Sequence, residues 1–415
     1  MTETSDDLPT PGLHRVVARQ PIVAKDDRVV AFQMVFRPTD GTPSAVGPFG
    51  PTFTAEVMSD ESAFDIGALV GDKQLYCRPW PELLAGTVPV TLPPRRSMLE
   101  VRRELVGRPD TLDHVRRLVA DGYPVSVELA EWGPELGPLL ELASLVRIDL
   151  ETVGRDDLAD LAEAFRPYGV TLLASGCQTP EDLAWSGRHG CELFSGPAVQ
   201  RPMEPDAGLA PTALGQVQLA AELLDERLEF GRVEQILTHE PALVVQVLHE
   251  ASLGAGGGLR REVHSIREAL VVMGTMRLRQ WAAMAVLGRN VANPRTDALT
   301  VALTRARMCA LLAKPRGLDA GYAFTAGLLS ALDRLLGVPN TVVENRIDVD
   351  KELAAAAFHR EGRVGALVGL AARYQDAVEA GLPGPDITDI DLMAASAFAW
   401  AMTNINAIDR ASALG

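Results

Sequence analysis

The sequence predicts an α/β domain followed by an all-α domain: a compact (β/α)8-type barrel, then a helical domain. Three observations carry this prediction. Over the first 200 residues, short β-branched and apolar runs alternate with amphipathic stretches. A stretch rich in proline and polar residues, "QRPMEPDAGLAPT" from Gln200 to Thr212, then interrupts the pattern. Beyond it the strand signals fade, and apolar residues recur at helical spacing.

The opening "VVARQPIVAKDDRVVAFQMVF" reads as two strands joined by the polar turn Lys25–Arg28, an antiparallel hairpin. Its second strand, Val29–Phe36, holds one interior polar residue, Gln33. Further strands are expected at Gln74–Cys77, Ser97–Val101, Pro124–Leu129, Leu145–Leu150, Val170–Ala174 and Glu192–Phe194. Helices between them include Thr111–Ala120, Arg155–Arg166 and Pro180–Arg188. In the second half, Pro241 suits a first helical turn, and Leu243, Val244, Val247, Leu248 and Ala251 share one face. The glycines from Gly254 to Gly258 break that helix. "SIRE" forms a capping box of Ser265 and Glu268, and Gly274 ends the helix it starts. Helices follow at Ala298–Leu312, Ala323–Leu336, Lys351–Phe358, Val364–Glu379 and Leu392–Thr403. The expected organisation is a disordered tail at 1–12, a barrel at 13–203, a linker at 204–212 and a helical domain at 213–415.

A net charge of −16 disfavours broad binding to nucleic acid or an anionic membrane. No run of about 18 apolar residues exists, so no transmembrane helix is predicted. The polar, acidic N-terminus has no signal-peptide pattern, which points to the cytoplasm. Cys77, Cys177, Cys191 and Cys309 are scattered without a CxxC pair and read as buried, inert thiols. Arg277, Arg279 and Trp281 form a short basic-aromatic feature, read as stems covering a core rather than a nucleic-acid patch.

The chain resembles the bacterial EAL–HDOD signalling proteins, which join an EAL-type barrel, ordinarily a cyclic-di-GMP phosphodiesterase, to an HD-related helical output domain. The N-terminal resemblance rests on "ARQPIVAKDDRVVAFQMVFRP", "LPPRRSMLEV", "GYPVSVEL", "VRIDL" and "LFSGPAVQRP". The C-terminal resemblance rests on "HEPALVVQVLHEAS", "HSIREALVVMGTMRLRQWA", "LTRARMCALLA", "AFTAGLLSALDRLLGVP" and "EGRVGALV".

What the resemblance implies can be followed residue by residue. An active EAL domain cleaves its phosphodiester with a metal-activated water, held by carboxylates and an asparagine around hard cations. The signature glutamate is replaced here by Gln33, and the asparagine by Arg78. One glutamate survives as Glu100. The paired aspartates become Glu128 and Leu129, and the catalytic lysine becomes Arg147. The late glutamates become Ser175 and Gln178, and the closing glutamine becomes Ser195. Gln20 and Arg37 match positions that touch the nucleotide in active relatives. Only Glu100 and Glu128 are left as anionic ligands, with Arg147 able to pair with either. The expectation is a degenerate EAL domain with no metal, no cofactor and a polar network at the barrel mouth.

The HD-type metal site needs a His-Asp dipeptide, and the sequence contains none. His239 and His249 are ten residues apart and fall on different faces of a helix. The expected function is a non-enzymatic regulatory protein that acts through protein partners. A nucleotide receptor without hydrolysis is the alternative, and a residual phosphodiesterase the third reading. A homodimer is a further expectation, since EAL-type barrels often pair.

Overall fold

The computed structural model describes residues 16–36, 66–79, 84, 90, 92–102, 105–106, 108–200, 233, 247, 251, 265–287, 297–336, 339–345, 350–380, 382, 384–385, 387 and 389–413. The expected tail, the linker, Gly254–Gly258 and most of the helix around Pro241 lie outside these residues.

Eight strands close into a barrel in sequence order: β1 (Val16–Ala24), β2 (Val29–Phe36), β3 (Gln74–Cys77), β4 (Ser97–Val101), β5 (Val125–Glu128), β6 (Leu145–Asp149), β7 (Thr171–Ser175) and β8 (Leu193–Phe194). β1 runs antiparallel to both neighbours, β2 and β8, and every other pairing is parallel. The hairpin read from the polar turn is therefore present. Helices α1 (Ile66–Val70), α2 (Pro109–Ala120), α3 (Gly137–Leu140), α4 (Arg155–Phe165), α5 (Pro180–Arg188) and α6 (Pro197–Gln200) belong to the barrel half. A reciprocal capping box of Thr179 and Asp182 starts α5.

Side chains alternate along each strand, so the barrel interior fills in rows. Ile22, Ala31, Tyr76, Met98, Leu145 and Leu173 form its apolar floor. Two residues further along their strands, on the same inward parity, come Gln33, Arg78, Glu100, Arg147 and Ser175. On β5, Ser126 and Glu128 repeat this step. Leu129 has the opposite parity and is buried in the core outside the barrel.

The helical half comprises α7 (Ile266–Leu287), α8 (Ala298–Ala313), α9 (Ala320–Leu329), α10 (Leu332–Leu336), α11 (Asn340–Glu344), α12 (Lys351–Ala354), α13 (Gly362–Glu379) and α14 (Ile390–Ala413). Ser265 Oγ accepts from Glu268 N at 3.1 Å, as its capping sequence predicts. Gly274 leaves the helical region at φ 72°, ψ 166°, so the helix that starts at Ser265 ends there as expected, and a second helix begins directly after it, making α7 two helices joined at a kink. The single helix expected over Ala323–Leu336 is broken after Leu329. The carbonyl of Ser330 is drawn away from helical bonding by Arg305 Nη1 at 2.9 Å and Asn340 Nδ2 at 3.3 Å. Trp281 is buried in the helical core, which removes it from any exposed basic-aromatic patch.

α8 and α9 pack in close contact at Gly327. A Cβ there would lie 2.8 Å from Cys309 Sγ and 3.0 Å from Ala306 Cα. Gly327→Ala is expected to destabilise the protein by about 1–3 kcal/mol through this overpacking. Denaturant unfolding checks it, and a stability equal to the parent would show that the helices separate freely.

The two halves share a core. Val17 and Val35, on the outer face of the opening hairpin, pack into the helical cluster. In return, Phe398, Ala399 and Met402 of α14 pack into the barrel cluster. Asn406 Nδ2 also donates to Ala68 O at 2.7 Å.

Candidate functional site

The C-terminal ends of barrel strands are where this architecture collects its polar side chains. Glu100 is at the centre of that end here. Its side chain has no exposed surface, and both its oxygens face guanidinium groups. Arg78 Nε donates to Glu100 Oε2 at 2.8 Å. Arg147 Nη1 lies 3.4 Å from each Glu100 oxygen, and Arg147 Nε donates to Ser175 Oγ at 2.8 Å. Arg78 Nη2 also reaches Glu128 Oε1 at 3.8 Å. Below this layer Tyr76 Oη and Ser126 Oγ are hydrogen-bonded at 2.8 Å, sealing the barrel floor.

Burial pushes the Glu100 carboxyl up to about 7, while the neighbouring Arg78 pulls the other way and Glu128 adds to the rise. Burial also opposes the charged form of Arg78, but Glu100 and Glu128 more than offset it and leave Arg78 above its ordinary value. Burial raises the Tyr76 hydroxyl well above its usual range, with Glu100 adding to it.

The other residues singled out from sequence are scattered. Gln33 is buried, in register with Gln20 on one side and Tyr76 on the other. Gln20 Nε2 donates to Glu379 O at 3.2 Å, so its side chain is engaged by the helical half. Gln178 Nε2 donates to Glu151 Oε1 at 3.0 Å, on the rim. Ser195 joins the β7–β8 edge through its backbone, its N–H donating to Ala174 O at 2.9 Å. Arg37 lies outside the described residues. Arg147 does pair with Glu100, one of the two partners expected for it; sequence reading did not assign Arg78 to the same carboxylate, and it missed Tyr76–Ser126. The inward parity of these positions was the available signal.

The donor set does not suit a pair of divalent metals. Such ions want several anionic oxygens, and no group of three or more His, Cys, Asp or Glu residues converges among the described residues. Glu100 is already shared by two cations. A divalent ion about 4 Å from either guanidinium would meet a repulsion of roughly 8 kcal/mol at an effective dielectric of 20. In the helical half, Arg305 is buried and donates from Nε to Gln375 Oε1 at 2.8 Å. Burial lowers its pKa, with Arg334 acting in the same direction. Cys177, Cys191 and Cys309 are buried and free, and burial pushes each thiol up to about 12. No helix among the described residues is long and apolar enough to cross a membrane.

Residues 210–348 match the HDOD domain family. The chain is 22% identical over 369 residues to cyclic di-GMP phosphodiesterase CdgJ of Vibrio cholerae, covering 87% of this chain and 85% of CdgJ. It is also 22% identical over 331 residues to YuxH of Bacillus subtilis, covering 77% of this chain and 80% of YuxH. Among solved structures, a calcium/cyclic-di-GMP complex of Klebsiella pneumoniae BlrP1 aligns at 21% identity and a TM-score of 0.36, covering 47% of this chain and 56% of BlrP1. Bacillus subtilis YkuI, an EAL-domain protein in complex with cyclic-di-GMP and calcium, aligns at 18% identity and a TM-score of 0.35, covering 56% of this chain and 62% of YkuI. This chain thus spans less than two thirds of either solved chain. A closed eight-stranded barrel is followed by a helical region whose residues 210–348 match the HDOD family, and the chain as a whole is similar to CdgJ and YuxH.

Proposed function

We propose that this chain is a non-catalytic EAL–HDOD signalling component that acts by binding regulatory protein partners, with a degenerate EAL domain. The observation that supports the reading is the double claim on Glu100. Glu100, fully buried at the barrel mouth, is paired with Arg78 and Arg147 rather than left for metal. CdgJ is named as a cyclic-di-GMP phosphodiesterase, so the test is direct. Purified full-length protein is expected to show no hydrolysis of cyclic-di-GMP with Mg²⁺ or Mn²⁺. Measurable hydrolysis that Glu100→Ala abolishes would overturn the proposal.

A second reading, a cyclic-di-GMP receptor without hydrolysis, draws on the two mouth guanidinium groups, which match phosphate geometry. Titration calorimetry separates it from the first. Heat that saturates at micromolar nucleotide supports the receptor, and no heat at high micromolar nucleotide removes it.

A further inference from the structure

The contact between the two halves has a feature that the mouth cluster does not use. Asp297 is the N-cap residue of α8, and its carbonyl accepts the first helical bond, from Val301 N at 3.0 Å. An aspartate is favoured at that position because its carboxylate takes a free N–H of the second or third helical residue. Two other N-cap aspartates in this half do so. Asp319 sits at ψ 118° and accepts from Tyr322 N at 2.6 Å. Asp350 sits at ψ 142° and accepts from Glu352 N at 2.9 Å. Asp297 sits at ψ 37° and makes no capping bond.

Its carboxylate is turned to the barrel instead. Arg19 of β1 grips it with both arms, Nε to Oδ2 at 2.6 Å and Nη2 to Oδ1 at 2.7 Å. Thr300 Oγ1 donates to Asp297 Oδ1 at 2.6 Å and accepts from Arg19 Nη2 at 3.1 Å. The guanidinium lies 4.1 Å over the Phe32 ring. The pair is nearly closed to solvent, with side-chain exposures of 10% and 6%. Next to Arg19 on the same strand, Gln20 donates to Glu379 of α13.

We infer that Asp297 is a two-position latch. In the closed position it pairs with Arg19 and holds the helical half against the barrel. In the open position it takes the extended backbone of its two counterparts and caps α8 on Leu299 or Thr300. The same carboxylate serves both positions, so release of the barrel and capping of α8 are mutually linked. Because α8 is buried at the centre of the helical core, its first turn registers whether the halves are joined.

Amide hydrogen exchange and small-angle scattering on the full-length chain test this. In Arg19→Met the amides of Leu299 and Thr300 are expected to exchange about fivefold more slowly than in the parent, the protection one cap bond confers, and the radius of gyration is expected to rise. Asp297→Ser keeps a capping side chain but cannot grip both arms of Arg19, so it is expected to show the same pair of changes. If Arg19→Met does not fold, Arg19→Lys is read in its place, since a lysine lacks the planar fork. Exchange at Leu299 and Thr300 that is unchanged or faster would overturn the latch. So would a radius of gyration equal to the parent's in the folded variants.

Discussion

Glu100→Ala is expected to lower the unfolding free energy at pH 8 by about 3–5 kcal/mol, the usual cost of removing one member of a buried ion pair. Two guanidinium groups lose their shared carboxylate. Arg147 keeps only the Ser175 hydroxyl among its described partners, and Arg78 keeps Glu128 at 3.8 Å. Neither cation can turn freely into solvent, with side-chain exposures of 12% for Arg147 and 15% for Arg78. Removing both charges as well, in Glu100→Leu with Arg78→Met and Arg147→Met, is expected to recover most of the loss, because well-packed apolar groups can replace a buried ion cluster. Urea unfolding of the three proteins checks this. A Glu100→Ala variant within 1 kcal/mol of the parent would mean that Glu100 does not hold the mouth together.

The second large expectation concerns pH. The Glu100 carboxyl is raised from an ordinary 4.5 to about 7 in the folded protein. Between those values the folded chain binds this proton more tightly than the unfolded chain does. Raising the pH therefore favours unfolding, so the contribution is fully present below 4.5 and lost as pH climbs through 7. A shift of this size corresponds to about 3 kcal/mol. Most other carboxylates in an acidic chain act in the opposite sense, so the measurement is a difference. The stability of the parent minus that of Glu100→Gln is expected to fall by about 3 kcal/mol between pH 4.5 and pH 7.5. A flat difference across this window would place the Glu100 titration at its ordinary value.

The strands were legible because a half-buried strand writes its period into the sequence: Gln74–Cys77 and Ser97–Val101 were read to the residue. Helix ends followed where a cap announces itself, as at Pro180–Arg188. Gly274 was readable as the end of its helix, but the second helix directly after it was not, since nothing local says that helix restarts. The break after Leu329 was hidden because its cause is Arg305, 25 residues away. The mouth positions were visible through the family resemblance, and strand parity explains why they share one row. That Arg147 would pair with Glu100 or Glu128 was visible, but which carboxylate both arginines share was not, because a sequence does not say which one is buried. Arg19 and Asp297 are 278 residues apart, and no periodicity links them.

The opening hairpin has two owners. One face lines the barrel, and the other, with Val17, Val35 and Arg19, forms part of the floor of the helical half. A cut near residue 204 would thus divide the chain at its compositional seam but not at its structural one. A barrel fragment would expose the apolar outer face of β1 and β2, and a helical fragment would lack the surface it closes on. Recombination between such proteins is therefore constrained: a helical domain transplanted onto a foreign barrel must bring the hairpin with it or find an equivalent face there. The hairpin at 16–36 and the helices from Ala298 onward behave as one structural part, although they lie far apart in the sequence.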